Sequence, residues 1–86
     1  MNHPNAHRAM LKEKLRETVR TVEEHRASAK RLSDALRVAL DYNLYDNVHD
    51  LDAESIDRDT RMLLRDLAAL AQCEQRIKAI EAELYG

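Results

Sequence analysis

Apolar residues recur at alternating spacings of four and three along the first half of the chain. This spacing predicts a stripe on one side of an α-helix, as in a coiled coil. The stripe consists of Leu11, Leu15, Thr18, Val22, His25, Ala29, Leu32, Leu36 and Ala39, and it is widened by Val19 and Leu40. Its centre is weak, because polar or small residues stand there. The pattern predicts one long helix over about 5–42, begun by Pro4 or capped by Asn5.

The stripe ends in a segment rich in Asn and Asp, residues 43–52. Such side chains compete for backbone hydrogen bonds and favour turns. Asp52 stands where an N-cap is needed, and Leu51 and Ile56 have the spacing of a hydrophobic staple. We therefore predict a link over 43–52 and a second helix over 53–84.

The second helix carries its own apolar stripe. Its members are Ile56, Leu63, Leu67, Leu70, Cys73, Ile77, Ile80 and Leu84. Two stripes of similar length, joined by a short link, predict one all-α domain over 1–86, a long antiparallel two-helix hairpin resembling a coiled coil. Pairing the arms about residue 48 places His25 beside Cys73. We interpret His25 as a seam residue that fixes the register, and we expect acidification from pH 7 to 5 to loosen the assembly.

Composition supports this fold class. The chain has neither Pro nor Gly between Pro4 and Gly86, it lacks Phe and Trp, and more than half of it is Ala, Glu, Lys, Leu and Arg. These features exclude a sheet protein and a Gly-rich phosphate loop. The longest run without a charged residue, 67–73, is far shorter than the roughly 18 residues of a membrane-spanning helix. With no apolar signal segment and one cysteine, we expect a cytoplasmic protein that binds no membrane.

A two-helix hairpin buries only one narrow seam, and cores of this size seldom contribute more than about 3–5 kcal/mol. Several apolar residues lie beside or beyond the seam and would stay in water in a monomer. They are Met10, Val19, Val38, Leu40, Met62, Leu64 and Ala68. We therefore expect a homodimer of hairpins that forms a four-helix bundle, or docking onto another protein.

The link concentrates aromatic, apolar and acidic residues. We take as candidate partner-binding residues Tyr42, Leu44, Tyr45, Asp46, Val48 and Asp50. The alternative is that this segment plugs the apolar end of the bundle. The function that these features favour is a small non-enzymatic protein–protein interaction module, such as an adaptor, a subunit, a co-chaperone-like factor or an inhibitor.

Two alternatives rest on charge, which is net +4 over residues 1–40, −6 over 41–59 and zero over 60–86. In the first, a row at i,i+4 spacing follows a nucleic-acid backbone; the row is Arg8, Lys12, Arg16 and Arg20. Interleaved glutamates and the lack of stacking aromatics argue against it. In the second, the carboxylates of 41–59 imitate phosphates and block a basic site on another protein.

No motif supports a cofactor, a metal ion or catalysis. Asp50, Asp52 and Glu54 match the first ligand positions of a calcium loop, but Ser55 replaces its glycine and Arg61 its bidentate glutamate. The histidines and the single cysteine lack the spacing of zinc ligands. The serines lack the Gly-containing elbow of a nucleophile. We therefore expect no metal, no cofactor and no enzymatic activity.

Overall fold

The computed structural model describes residues 4–44 and 48–86, without the side chains of Pro4 and Tyr42. The molecule is a rod with extents of 69 × 18 × 14 Å. Its radius of gyration is 19.5 Å, whereas a compact chain of this length has a radius of gyration of about 12 Å. This elongation follows from two long helices that lie side by side.

Two α-helices pack against each other, and the described residues contain no strand. The elements in chain order are α1 (Pro4–Ala39), a 3₁₀ turn (Tyr42–Leu44), a second 3₁₀ turn (Val48–Asp50) and α2 (Ala53–Tyr85). The predicted all-α antiparallel hairpin is therefore confirmed.

Helix α1 ends three residues before the predicted position. The Leu40 amide still donates to the Leu36 carbonyl at 2.8 Å, but the Asp41 amide donates to Val38 at 3.2 Å, which tightens the chain from i+4 to i+3 bonding. The Asp41 carboxylate then accepts the Asn43 amide at 3.1 Å. The competition between side chain and helix that was predicted for the link thus begins at Asp41.

Helix α2 begins where the sequence predicts. Asp52 has an extended backbone, and its carboxylate accepts hydrogen bonds from the Ser55 amide at 3.2 Å and the Ser55 hydroxyl at 2.8 Å. These bonds satisfy amide and hydroxyl donors of the first turn and lower the pKa of Asp52 from its usual range, with the Ser55 hydroxyl as the largest cause. Leu51 and Ile56, the predicted staple, are both half-buried.

The seam of α1 is the predicted one, since all nine stripe positions are buried or half-buried. The seam of α2 differs from the predicted one at two places, where it contains Asp59 and Asp66. Leu67, predicted to be in the seam, is 50% exposed, whereas Asp66 is 8% exposed. With Asp59 and Asp66 included, the α2 seam repeats at strict spacings of three and four from Ile56 to Leu84. Leu67 is apolar but lies one position off the strict heptad, which continues through Asp66.

The register also differs from the predicted pairing. The His25 ring contacts the Asp66 carboxylate at 2.8 Å. The start of α1 and the end of α2 lie side by side at the end of the rod opposite the link, which we call the open end. There the Arg8 guanidinium donates a hydrogen bond to the Leu84 carbonyl at 3.2 Å. His25 therefore faces Asp66 and not Cys73, a difference of seven residues, or one heptad. The prediction was wrong because its pairs are centred near residue 49, whereas the observed contacts of His25 with Asp66 and of Arg8 with Leu84 are centred three to four residues earlier in the chain.

The apolar core is thin and uneven. Among the described residues, the buried hydrophobic side chains are Leu11, Leu36, Cys73, Ile80 and Leu84, and none is less than 2% exposed. Leu11, Ile80 and Leu84 form one cluster at the open end, with Leu15 packed against it. The middle of the seam instead holds the polar pair of His25 and Asp66. The seam thus has an apolar end and a polar centre.

Candidate functional site

The polar centre of the seam is built from one residue of each helix. The Nδ1 atom of His25 lies 2.8 Å from Oδ1 of Asp66, and the two side chains are 34% and 11% exposed. Both occupy seam positions of their heptads, so the packing of the helices holds them together. The second carboxylate oxygen, Oδ2, is buried without a hydrogen-bond partner among the described residues.

The environment of Asp66 favours its charged form. The Ser28 hydroxyl, as the largest cause, and the His25 ring lower the pKa of this carboxyl from its ordinary value of 3.8, and the charge of Arg31 acts in the same direction. Burial opposes them.

This arrangement differs from that of a nucleophilic site. In a Ser-His-acid site the hydroxyl pairs with the imidazole, which in turn pairs with the acid. Here both the imidazole of His25 and the hydroxyl of Ser28 act on Asp66. Within residues 4–44 and 48–86, no group of three or more His, Cys, Asp or Glu side chains is placed to hold a metal ion. What the geometry offers is a polar contact between the two helices at the centre of the seam.

The candidate link residues are placed only in part. Leu44 and Val48 are 63% and 58% exposed, and Asp50 is also exposed. Tyr45 and Asp46 lie outside the described residues, as does the Tyr42 side chain. A plug requires buried apolar side chains, and the two that are described here are in water.

The basic row does not form one continuous face. Residues four apart advance by about 40° around a helix, so Arg8 and Arg20 point about 120° apart. Arg8 binds the Leu84 carbonyl and ties the open end together. Arg16 pairs with Glu13 at 2.7 Å. Two of the four cations are thus engaged within the chain.

The acidic segment is likewise partly engaged. Asp52 caps α2, and Asp57 accepts a hydrogen bond from Arg61 at 3.2 Å. Asp59 occupies a seam position with its side chain 17% exposed, and its contact with Arg58 is long, at 3.4 Å. Asp52 therefore serves the start of α2, where the helix dipole favours negative charge, whereas Asp57 and Asp59 contact arginines of the same helix.

One side of α2 is apolar and faces water. We call Leu64, Leu67, Ala68 and Ala71 the leucine face; all four are exposed, and the two leucines are 60% and 50% exposed. Their spacing of three, four and seven places them on one side of the helix. The face overlaps the longest charge-free run of the chain, 67–73. Of the residues predicted to lie beyond the seam, all seven are exposed.

A shallow groove of about 490 Å³ lies at the open end on a different side. Its walls carry charges of both signs, with Lys14 and Arg76 opposite in charge to Glu17 and Glu83. Met10 and Ala79 supply its apolar surface. His7 and Glu83 meet there at 3.7 Å. The groove follows from two helices packed side by side and gathers no convergent catalytic groups.

Sequence reasoning missed Asp66 and Asp59 as seam residues. The signal was present, since counting strict heptads back from Ile80 through Cys73 reaches both. Both were left out of the predicted stripe because their side chains are acidic and the stripe was defined by apolar residues.

Comparison with known proteins leaves the function to be argued from this geometry. No family model, no curated protein sequence and no solved structure gives a significant match to this chain. Within the described part of the chain, neither helix has a stretch long and apolar enough to span a bilayer.

Proposed function

We propose that this hairpin is a protein–protein interaction module, an adaptor, subunit or inhibitor that works through its helical surfaces and forms a homodimer. The observation that carries the proposal is the leucine face. Two large aliphatic side chains on it are at least half exposed, and two alanines extend the surface without interruption by charge. Contiguous exposed apolar surface of this kind marks interaction sites.

The amount of exposed surface supports the same proposal. The chain exposes 7014 Å², whereas a compact globular protein of its mass exposes roughly 5,200 Å². The excess is roughly 1,800 Å², which is comparable to the total area buried in a standard protein interface. Packing two hairpins into a four-helix bundle covers surface that one hairpin leaves in water.

A polar substitution of the leucine face tests the proposal. We expect wild type to sediment as a dimer at micromolar concentration and Leu64→Gln/Leu67→Gln to sediment as a monomer with unchanged helical content. The matched control is Met10→Gln/Met62→Gln, which removes two exposed apolar side chains from other positions and should leave the dimer intact. If the wild-type chain stays monomeric up to high micromolar concentration, the proposed self-association is wrong.

Two charge-based functions have less support in the geometry. Arg8 and Arg16 of the basic row are engaged within the chain, and the row winds around α1. Asp52 and Asp57 of the acidic segment stabilise the start of α2. Retention on immobilised nucleic acid at low salt supports the first alternative, and salt-sensitive capture by a basic protein supports the second.

A further inference from the structure

The two seams carry their polar residues in matching pairs. On α1, Thr18 and His25 are seam residues seven apart, and on α2 the same holds for Asp59 and Asp66. In the observed register only His25 and Asp66 meet. Thr18 is 6% exposed, and its hydroxyl donates to the Lys14 carbonyl of its own helix. Among the residues that the structure describes, Asp59 contacts its neighbour Arg58 at 3.4 Å.

A shift of one heptad keeps every seam position in the seam. If α2 moves by seven residues toward the open end, His25 meets Asp59, and Thr18 comes opposite Asp66. Both acidic side chains then face a polar partner across the seam. The displacement along the helix axis is about 10 Å, at 1.5 Å per residue.

Apolar packing opposes this shift. The Leu11, Ile80 and Leu84 cluster exists only because the far end of α2 lies beside the first turns of α1. After the shift, Ile80 and Leu84 pass beyond Leu11 and lose that cover. The polar centre and the apolar end therefore favour different registers, and the observed one satisfies the apolar end.

We propose that this hairpin has two registers one heptad apart, with His25 exchanging between Asp66 and Asp59 as α2 slides along α1. The 3₁₀ turn at Val48–Asp50, which precedes α2, is placed to join the helix as its start moves. Such sliding transmits a change at the link to the open end. The proposal concerns motion within one hairpin and does not depend on the dimer.

Distances between two spin labels test it. Ala27 on α1 and Ala82 on α2 are both exposed, so each can be replaced by cysteine and spin-labelled. The substitution Cys73→Ala prevents labelling of the native cysteine. The shift moves Ala82 away from Ala27, so the interlabel distance grows by roughly 10 Å. We expect wild type to show mainly the shorter distance. Leu84→Ala, which weakens the open end, should populate the longer one several-fold more.

Two further variants separate sliding from unfolding. Asp66→Ala removes the observed partner of His25 and leaves the apolar cluster intact, so it should also raise the longer-distance population. Adding Asp59→Ala to either variant should abolish that population, since His25 then has no second partner. If Asp66→Ala keeps the wild-type distance, or if the longer distance survives Asp59→Ala, His25 does not exchange between the two carboxylates and the proposal fails. Because Asp66→Ala spares the apolar cluster, its result decides the question even where Leu84→Ala unfolds the chain.

Discussion

The open end and the centre of the same seam are held together by different physics. At the open end Leu11, Ile80 and Leu84 exclude water from one another. At the centre His25 and Asp66 meet through one hydrogen bond, and one carboxylate oxygen is left without an aligned donor. Apolar packing stabilises strongly but tolerates many registers, whereas a polar pair contributes little net free energy and requires a particular partner. The apolar open end therefore provides most of the stability, whereas the polar centre makes one register specific.

The largest expected effect comes from the apolar end. Leu84→Ala should lower the free energy of unfolding by about 2–5 kcal/mol, because it removes buried methyl groups and leaves a cavity. A two-helix core has few other contacts to compensate. Urea denaturation at fixed protein concentration measures the loss. Leu40→Ala, an equal truncation at an exposed site outside the leucine face, should change the free energy by no more than about 0.5 kcal/mol. Equal losses at both sites would contradict the contrast.

The polar centre should give a smaller loss than the apolar end. Asp66→Leu leaves His25 facing an apolar side chain, and His25→Leu leaves Asp66 buried without its partner, so each single variant should melt below wild type. The double variant His25→Leu/Asp66→Leu should recover much of the loss, because both polar groups are then gone. Thermal melts of the four chains complete the cycle. Additive losses would show that the two side chains do not interact.

Acid should act on the centre and at the cap, and not on the apolar end. The pKa of Asp66 is lowered by the Ser28 hydroxyl first and the His25 ring next, and the charge of Arg31 on α1 acts in the same direction. A lowered pKa contributes stability above the unfolded-state pKa of about 4, and this stability is lost as the pH falls through the folded-state pKa. Melting temperatures should therefore fall below about pH 4, and fall less steeply in Asp66→Asn.

The structure also changes the expected effect between pH 7 and 5. A buried histidine without a partner would loosen the seam when protonated. His25 instead faces the Asp66 carboxylate, which gives a protonated ring a charged partner. We therefore expect no loss of melting temperature over that range. A clear loss there would favour the loosening that the sequence alone predicts.

The smallest of these effects lies at the start of α2. Asp52→Ala removes the acceptor for the Ser55 amide and hydroxyl, so the first turn should fray and the melting temperature should fall slightly. Asp52→Ser keeps a capping oxygen and should behave as wild type. Circular dichroism melts of the two variants provide the comparison. A loss as large as that of Leu84→Ala would mean that the cap, and not the apolar end, limits stability.

The sequence alone determined the local features of this protein. Heptad spacing and the lack of Pro and Gly determined two long helices, and Asp52 with Ser55 determined where the second begins. These are local properties, because propensity, periodicity and capping act within a few residues. The sequence predicted the leucine face only in part, since it placed Leu64 outside the seam but Leu67 within it.

Only the tertiary structure decided which residues of the two helices meet. A shift by one heptad returns every seam position to the seam, so periodicity cannot distinguish registers. The choice depends on where α1 ends, on the cluster at the open end and on the meeting of His25 with Asp66. The cluster and the contact of His25 with Asp66 join residues far apart in sequence. The strict heptad alone places Asp66 in the seam, but only the packing of α1 against α2 decides that His25 is its partner.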